Sequence, residues 1–225
     1  MSLIFQNRTE AGLRLAEKLA IYRHRPDTLI LALPRGGVPV AFEIAQKLNL
    51  PLDICLVRKL GVPGRKELAM GAIASGGVRV INQEVVDWLK ISPDIIENVA
   101  REEQRELERR DRAYRGNQPV PLIKNQTIIL VDDGIATGST IKAAISTLKQ
   151  QQPQAIIVAV PVAPEIVCQE LATEVEQVIC LSIPEPLHSI SLWYEDFSQT
   201  TDDEVRYLLA KANQLYEVKS HQVRS

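Results

Sequence analysis

The chain has 225 residues, a length that suits one α/β domain with an insertion and leaves little room for a second large domain. It carries 26 Lys and Arg against 28 Asp and Glu, a net charge of −2, which argues against nucleic-acid binding through charge alone. A hydrophobic content of 45% excludes the disordered class. Cys55, Cys168 and Cys180 lie in apolar stretches without metal-type spacing, so neither disulfides nor a zinc site is predicted.

Apolar runs and helical periodicities alternate along the chain. Helices are predicted at residues 10–23, 40–48, 141–149 and 165–171, and buried strands at residues 28–33, 53–57, 127–131, 155–160 and 177–183. Two more short strands, at residues 69–74 and 78–81, would form a hairpin around Gly76-Gly77, after a polar loop at residues 61–67. Strands separated by helices favour a parallel sheet with helices on both faces.

The segment from Gln83 to Arg115 has a different composition, because Glu, Arg and Gln dominate residues 101–112. We interpret it as a helical insertion, at about residues 82–116, with many intrahelical ion pairs and a largely solvated surface. A contact with a second subunit is the alternative interpretation. A linker that contains Pro119 and Pro121 then leads back to the core.

The segment after the predicted strand 127–131 carries the strongest functional signal. Asp132 and Asp133 close the strand, and the residues that follow before the helix are Gly134, Ile135, Ala136, Thr137, Gly138, Ser139 and Thr140. Glycines let backbone amides converge, hydroxyls add donors, and a helix N-terminus carries partial positive charge, so the loop suits a phosphate monoester. The two carboxylates suit neighbouring sugar hydroxyls, which predicts a sugar 5-phosphate as ligand. An ordinary capped strand-to-helix turn is the alternative.

Basic residues follow two other predicted strands. Arg35 precedes Gly36 and Gly37, and the pair Arg58-Lys59 comes directly after the strand at residues 53–57. Because the carboxyl ends of parallel strands share one edge of a sheet, we expect these side chains near the phosphate loop. Solvated surface charges are the alternative interpretation.

The sequence ILVDDGIATGST, at residues 129–140, resembles the 5-phosphoribosyl 1-pyrophosphate (PRPP) motif of the type I phosphoribosyltransferases. The segments RTEAG, LPRGGVPVA and VRKLGVPGRKELAMGAI resemble those of a bacterial group in this family, and the order of segments agrees from about Thr9 to Val205. The resemblance implies an α/β, parallel-sheet type I phosphoribosyltransferase fold. Residues 1–225 would form a single domain with the helical insertion and a small hood at about residues 184–205.

The resemblance also implies the chemistry, which is transfer of the phosphoribosyl group of PRPP to a nitrogenous acceptor with release of pyrophosphate. Asp132 and Asp133 would bind the ribose hydroxyls, and residues 136–140 the 5-phosphate. The segment with Arg35 would be the pyrophosphate loop, where the family often has a strained non-proline peptide. Mg²⁺ would be held by PRPP oxygens and water, with Asp132 or Asp133 as the protein carboxylate that could add a ligand.

The remaining basic residues receive roles from the same resemblance. Arg35, Arg58 and Lys59 would clamp the pyrophosphate and so serve catalysis. Arg65 and Lys66 would lie on a loop that closes over the site and excludes water.

The acceptor is not specified by these motifs. Ala136 stands where the hypoxanthine and guanine branch has an acid, so that branch's usual general base is missing, although the adenine branch also has alanine there. Trp193, Tyr194 and Asp196 in the hood, with Phe197, are candidates for acceptor binding because aromatics stack on bases and an acid accepts their N–H groups. Core aromatics and turn-capping polar residues are the alternative.

The sequence and the family resemblance also predict the binding partners. We expect PRPP and an unidentified small-molecule acceptor, no nucleic acid, and, by analogy, a homodimer. No apolar run approaches the roughly 18 residues of a membrane span and no secretion signal is present, which predicts a cytoplasmic protein. A PRPP- or nucleotide-sensing regulator with little turnover is the main alternative function, and a hydrolase is a weaker one.

Overall fold

The structure, a computed structural model, describes residues 4–116 and 118–222, with the backbone alone at residues 66, 67 and 219–222. The strands are β1 (Thr28–Ala32), β2 (Leu52–Ile54), β3 (Val57–Val62), β4 (Arg65–Ala74), β5 (Arg79–Ile81), β6 (Thr127–Val131), β7 (Ala155–Val162) and β8 (Gln177–Ser182). The helices are α1 (Arg8–Lys18), α2 (Gly37–Leu48), α3 (Gln83–Leu89), α4 (Pro93–Arg115), α5 (Ser139–Lys149), α6 (Glu165–Ala172) and α7 (Asp202–Gln222).

A five-stranded parallel sheet forms the centre of the described chain, in the order β2-β1-β6-β7-β8. Every residue of β1 and β6 is buried, because helices cover both faces of the sheet. One face packs against α1, α2 and α7, and the other packs against α5 and α6. The predicted α/β class with a parallel sheet is confirmed, and the strand predicted at residues 127–131 matches β6.

The segment predicted as a polar loop is instead part of a second, antiparallel sheet in the order β3-β4-β5. The prediction of one strand at residues 53–57 is wrong, since β2 ends at Ile54 and Val57 begins the other sheet. Where a loop was predicted at residues 61–67, the structure has only a two-residue turn at Pro63 and Gly64. The φ of Gly64 in this turn is 77°. The inward residues Leu60 and Met70 explain the strands, because a charged hairpin can still bury alternate apolar side chains.

The predicted insertion contains two helices rather than one. Lys90, with a φ of 52°, ends α3, and Pro93 begins α4 two residues after Ile91. Glu106 forms ion pairs with Arg109 and Arg110 along α4, as the composition predicts. However, α4 is not solvated all round, since Leu107 is 1% exposed and belongs to the main core.

The C-terminal end of α4 is fixed to the central sheet by a buried arginine. The Arg115 side chain is 3% exposed, and its Nε donates to Asp53 Oδ1 at 2.8 Å. Its Nη2 donates to the Ile54 carbonyl at 2.6 Å, and its Nη1 pairs with Asp111. Burial raises the pKa of Asp53 above its ordinary value, and the Arg115 cation opposes that rise. The pair therefore joins the insertion to the end of β2.

Residues 184–205 leave the last strand of the sheet, form a short 3₁₀ helix at Ile190–Trp193 and lead into α7. The sequence analysis did not predict α7. Its residues Val205, Leu209 and Ala212 are buried in the main core beside α2. Within residues 4–116 and 118–222, none of the helices combines the length and the apolar character needed to cross a membrane.

We predict that Arg115→Met lowers the free energy of unfolding by about 3 kcal/mol, because it leaves the largely buried Asp53 carboxylate, with a side chain 19% exposed, without its cation. Urea denaturation at pH 8 measures the loss, and the loss should shrink as the pH is lowered, because burial raises the pKa of Asp53 and a protonated carboxyl group needs no cation. Arg112→Met is the matched control, since Arg112 lies on the same helix and is exposed. Equal effects of the two substitutions would contradict the role given to Arg115.

Candidate functional site

The loop between β6 and α5 presents backbone amides and hydroxyls at the start of a helix. Gly138 precedes α5 with a φ of 73°, a conformation that glycine adopts without strain. The Thr137 hydroxyl accepts from the Ser139 amide at 3.4 Å and lies 3.3 Å from the Ser139 hydroxyl. Ala136 and Thr137 are exposed, so this end of the loop is open to a ligand. Such a helix N-terminus attracts anions.

The segment after β1 lies directly against this loop, because β1 and β6 are neighbours in the sheet. A Cβ on Gly36 would stand 1.9 Å from Asp133 Oδ2, and one on Gly37 would stand 2.7 Å from the Val131 carbonyl oxygen. A side chain at residue 37 would thus collide with the backbone of β6, and one at residue 36 would have to displace the Asp133 carboxyl group. The peptide between Pro34 and Arg35 is cis, at the position where the family resemblance led us to expect an unusual peptide.

The two acids at the end of β6 differ in their surroundings. Asp132 Oδ1 accepts from the Asp133 amide at 2.9 Å. Removal of its carboxyl group from water raises the pKa of Asp132 well above its ordinary value, and the neighbouring charge of Asp133 adds to the rise. An ionised carboxyl group that is removed from water lowers the stability of the folded protein. Carboxyl groups with such raised pKa values are typical of functional sites.

Arg8, which the sequence analysis did not select, holds the second acid. Its Nε and Nη2 each lie 2.8 Å from Asp133 Oδ2, and its Nη1 donates to the Ser198 carbonyl at 2.8 Å. The guanidinium lies 4.0 Å from the centre of the Phe197 ring, and the side chain is 12% exposed. Arg8 thus joins the start of α1, the acid pair and the hood. The sequence signal that could have identified Arg8 was its position in RTEAG, a segment that resembles the family.

The two basic residues of β3 face different neighbours, since successive strand residues point to opposite sides. Lys59 Nζ donates to Ser139 Oγ at 3.5 Å, which brings it to the start of α5. Arg58 Nε donates to Glu103 Oε2 at 2.6 Å, so Arg58 is paired with the insertion instead of the phosphate loop.

The other basic candidates lie at the edges of the site. Arg35 Nη1 is 3.6 Å from Asp202 Oδ1, and the Tyr114 hydroxyl donates to the same oxygen at 2.8 Å. Arg65 is exposed at the start of β4, next to the turn of the hairpin. Lys66 lies outside the described side chains.

The hood aromatics Trp193 and Tyr194 belong to one apolar cluster with Phe5 and Phe197. Tyr194 is 5% exposed, its ring packs against Phe5 and Phe197, and its hydroxyl donates to the Asp133 carbonyl at 2.7 Å. Asp196 is exposed and accepts from the Ser198 amide at 2.9 Å, which lowers the pKa of Asp196. Trp193 is half-buried in the same aromatic cluster. The Tyr194 hydroxyl therefore holds the backbone of Asp133. Burial leaves the Tyr194 ring little surface on which an acceptor base could stack.

A cleft of about 860 Å³ opens beside the phosphate loop. Its walls are the β3–β4 hairpin and α4, and the start of α5 and the Pro34 segment close one end. The residues that line it include Arg58 and Lys59, which the sequence analysis selected, and Glu102, which it did not.

The acid pair has the donors that a substrate-borne Mg²⁺ requires. In the described part of the chain, no three His, Cys, Asp or Glu side chains are grouped as a metal site. Asp132 and Asp133 offer two adjacent carboxyl groups, and Arg8 already occupies one oxygen of Asp133. This donor set fits an ion that takes most of its ligands from substrate and water.

Comparison with known proteins identifies the family. The family model for the phosphoribosyl transferase domain matches residues 7–170, which include α1, both loops and α5. The chain belongs to this phosphoribosyl transferase family. The family expected from the motif at residues 129–140 is thereby confirmed.

Individual relatives agree with this assignment. The chain is 41% identical over 211 residues to a protein of Mycobacterium tuberculosis H37Rv named "Putative phosphoribosyl transferase Rv0571c", and it matches the corresponding protein of strain CDC 1551 equally well. The alignment covers 93% of this chain and 47% of each relative, so the chain spans about half their length. The crystal structure of TT1426 from Thermus thermophilus is similar, with 36% identity, a TM-score of 0.85, and coverage of 92% of this chain and 98% of that chain.

We predict that Asp132→Asn raises the free energy of unfolding at pH 8 by about 1 kcal/mol, because it removes a charge held away from water. The folded state binds a proton at Asp132 more tightly than the unfolded state does, so wild-type stability falls as pH rises above the ordinary pKa of aspartate. The gain should therefore vanish near pH 4. Thermal unfolding at several pH values measures it, with the exposed Asp203→Asn as control.

Proposed function

We propose that the protein is a phosphoribosyltransferase that uses PRPP and Mg²⁺ to transfer a phosphoribosyl group to a nitrogenous acceptor. The observation that carries the proposal is the contact between the acid pair at the end of β6 and the glycines after β1. This contact brings a phosphate-type loop, two sugar-binding acids and a second glycine-rich loop to one edge of the sheet.

The 5-phosphate of PRPP would bind at the start of α5. Residues 136–140 lead into the N-terminus of α5, which attracts anions, and the hydroxyls of Thr137, Ser139 and Thr140 would add donors. The Lys59 ammonium, 3.5 Å from Ser139 Oγ, supplies a positive charge at the same place. These groups together neutralise a phosphate dianion.

The ribose hydroxyls would bind to the acid pair. An ionised carboxylate accepts hydrogen bonds only, so two adjacent carboxylates fit two neighbouring hydroxyl donors. Arg8 fixes the position of Asp133, and the Tyr194 hydroxyl fixes its backbone. The sugar is then bound by groups that do not need to reorganise.

The pyrophosphate would bind between the loop after β1 and the β3–β4 hairpin. Gly36 and Gly37 allow close approach of the backbone, and Arg35 and Lys59 carry the positive charge. Arg58 would join them only by leaving Glu103, to which it is paired in this structure. The hairpin tip with Arg65 and Lys66 would cover the bound substrate and exclude water.

In the reaction, a nitrogen of the acceptor forms a bond to C1 of the ribose while the bond from C1 to the pyrophosphate oxygen breaks. Pyrophosphate leaves with the electron pair, and the proton of the attacking nitrogen passes to water. Mg²⁺ with PRPP would neutralise charge on the pyrophosphate, and Asp132 or Asp133 would be the protein carboxyl group that adds a ligand to it. The protein supplies positioning and charge, and it forms no covalent bond.

Three further expectations remain predictions. The homodimer is checked by light scattering of the full chain, and the absence of nucleic-acid binding by a titration with DNA and RNA. The cytoplasmic location is checked by cell fractionation.

Calorimetric titration of the full chain with PRPP and Mg²⁺ tests the proposal. We predict saturable, Mg²⁺-dependent binding, which Asp132→Asn and Asp133→Asn each weaken at least tenfold, because each removes a charged acceptor for a ribose hydroxyl. Pyrophosphate alone should bind both variants as it binds the wild type. Asp203→Asn, on an exposed acid of α7, is the matched control. Unchanged PRPP affinity in the two site variants would rule out the role given to the acids.

A pyrophosphate-release assay with candidate bases then separates the alternatives. Release that depends on an added base identifies a transferase. PRPP binding without release under any base identifies the PRPP-sensing regulator, and release of ribose 5-phosphate without a base identifies a hydrolase. Binding of AMP or ribose 5-phosphate in place of PRPP would contradict the proposed donor.

A further inference from the structure

The two edge strands of the central sheet differ in how the chain covers them. At one edge, Leu52 of β2 is 3% exposed and Ile54 is 1% exposed, and Arg115 donates to the Ile54 carbonyl. At the other edge, every residue of β8 is at least partly exposed, and no strand of the described chain pairs with its outer side. The insertion therefore covers one edge of the sheet, and the other edge is open.

The backbone of β8 directs hydrogen-bonding groups to this open edge. The Ser182 carbonyl accepts from the Ala163 amide at 3.2 Å, so Ser182 directs its backbone groups toward β7. Alternation along a strand then directs the N–H and C=O groups of Gln177, Ile179 and Leu181 outward. The sequence of β8, QVICLS, contains neither proline nor a charged residue, which are common devices that prevent an edge strand from pairing. This strand is therefore suited to pair with a further strand.

We propose that β8 pairs with β8 of a second copy of this chain, antiparallel and centred on Ile179, so that the two five-stranded sheets become one. The inference does not depend on the proposed transfer reaction. Under two-fold symmetry, Ile179 faces Ile179 of the partner subunit and Gln177 faces Leu181 of the partner subunit, and these pairs exchange their backbone hydrogen bonds. Glu176, just before the strand, faces Ser182 of the partner subunit, so the pairing opposes no like charges along β8.

Apolar side chains at both ends of β8 enlarge this contact. Specific interfaces bury about 1,200 Å² or more, and the edges of two six-residue strands supply only part of that area. Ile183 follows the strand and is 51% exposed, and Ile21 is 74% exposed in the 3₁₀ turn Ala20–Tyr22. This turn lies at the amino end of β8, since the Tyr22 hydroxyl donates to Gln177 Oε1 at 3.4 Å. Antiparallel pairing therefore brings Ile21 toward Ile183 of the partner subunit.

Charges at the two ends of β8 favour a second copy in the same orientation. Arg23, directly after the 3₁₀ turn, is exposed at the amino end, and Glu185 is exposed just beyond the carboxyl end. In an antiparallel pair the amino end of each strand lies beside the carboxyl end of the other, so Arg23 approaches Glu185 of the partner subunit. A parallel pair would bring like charges together. The edge is thus complementary to itself in the antiparallel orientation.

Light scattering and sedimentation of the full chain test the pairing. We expect a mass near twice 25.1 kDa for the wild type. Ile183→Asp, at an exposed residue, should raise the dimer dissociation constant at least tenfold, because the symmetric contact loses apolar area at both ends. Ile179→Pro should do the same, because it removes an outward N–H that the sheet does not use. If Ile179→Pro fails to fold, Ile183→Asp decides.

The matched control is Leu122→Asp, which also places an acid at an exposed apolar residue. Leu122 is 72% exposed on the linker before β6, and its neighbours Pro121 and Ile123 line a small cavity with Ile54 of the opposite edge strand. The dissociation constant of this variant should stay within about twofold of the wild-type value, since distant surface sites act independently.

Charge reversal tests the orientation of the two copies. Arg23→Glu and Glu185→Arg should each weaken the dimer, because each places like charges at both ends of the strand pair. The two substitutions together should return the dissociation constant to within about threefold of the wild-type value, since opposite charges meet again. A double variant weaker than both single variants contradicts the antiparallel pairing.

Hydrogen exchange at two protein concentrations locates the contact. The amides of Gln177, Ile179 and Leu181 should exchange about tenfold more slowly in the dimer than after dilution to the monomer. A wild type that is monomeric at every concentration overturns the inference, as does a dimer that Ile183→Asp leaves unchanged. Protection of these amides in a monomer shows that another segment of the same chain covers the edge, and it overturns the inference as well.

Discussion

The pairing of β1 with β6 is the constraint on which the rest of the site depends. It places the carboxyl ends of two buried strands side by side, so that the loop with Gly36 meets the carboxyl group of Asp133. A side chain at residue 37 would collide with the backbone of β6, and one at residue 36 would displace the carboxyl group of Asp133. The close approach of the two loops thus depends on the order of the strands and on the glycines at residues 36 and 37. The charged side chains surround the two loops.

Two arginines connect this centre to the parts of the chain that surround it. Arg8 links α1 and the hood to Asp133, and Arg115 links the insertion to the end of β2. Both are held by carboxylates that are themselves largely withdrawn from water, where a cation without its partner is costly. The hood and the insertion are therefore coupled to the sheet through specific ion pairs as well as through apolar packing.

Sequence patterns predicted the parts of the fold that local physics determines. The buried strand at residues 127–131 and the loop that follows it carry composition and spacing signals that tertiary context does not override, whereas the strand predicted at residues 53–57 is divided between two sheets. Residues 61–67 were mistaken for a loop because the glycine, proline and charged residues there obscure the end of β3 and the start of β4. Arg8 and Tyr194 could not be assigned, since their contacts with Asp133 span 125 and 61 residues of chain and leave no local pattern.

The anchoring of α4 has a mechanical consequence for the cleft. Arg115 fixes the end of α4 to the sheet, and Tyr114 ties it to Asp202 at the start of α7, so this wall is held at its base by two independent elements. The hairpin wall meets α4 through the partly exposed ion pair of Arg58 and Glu103 and through the buried side chains of Leu60 and Met70, which share the main core with Leu107. Both walls of the cleft are therefore anchored in the main core, so a substitution in the core beneath the hairpin would alter the shape of the cleft as well as the stability of the fold.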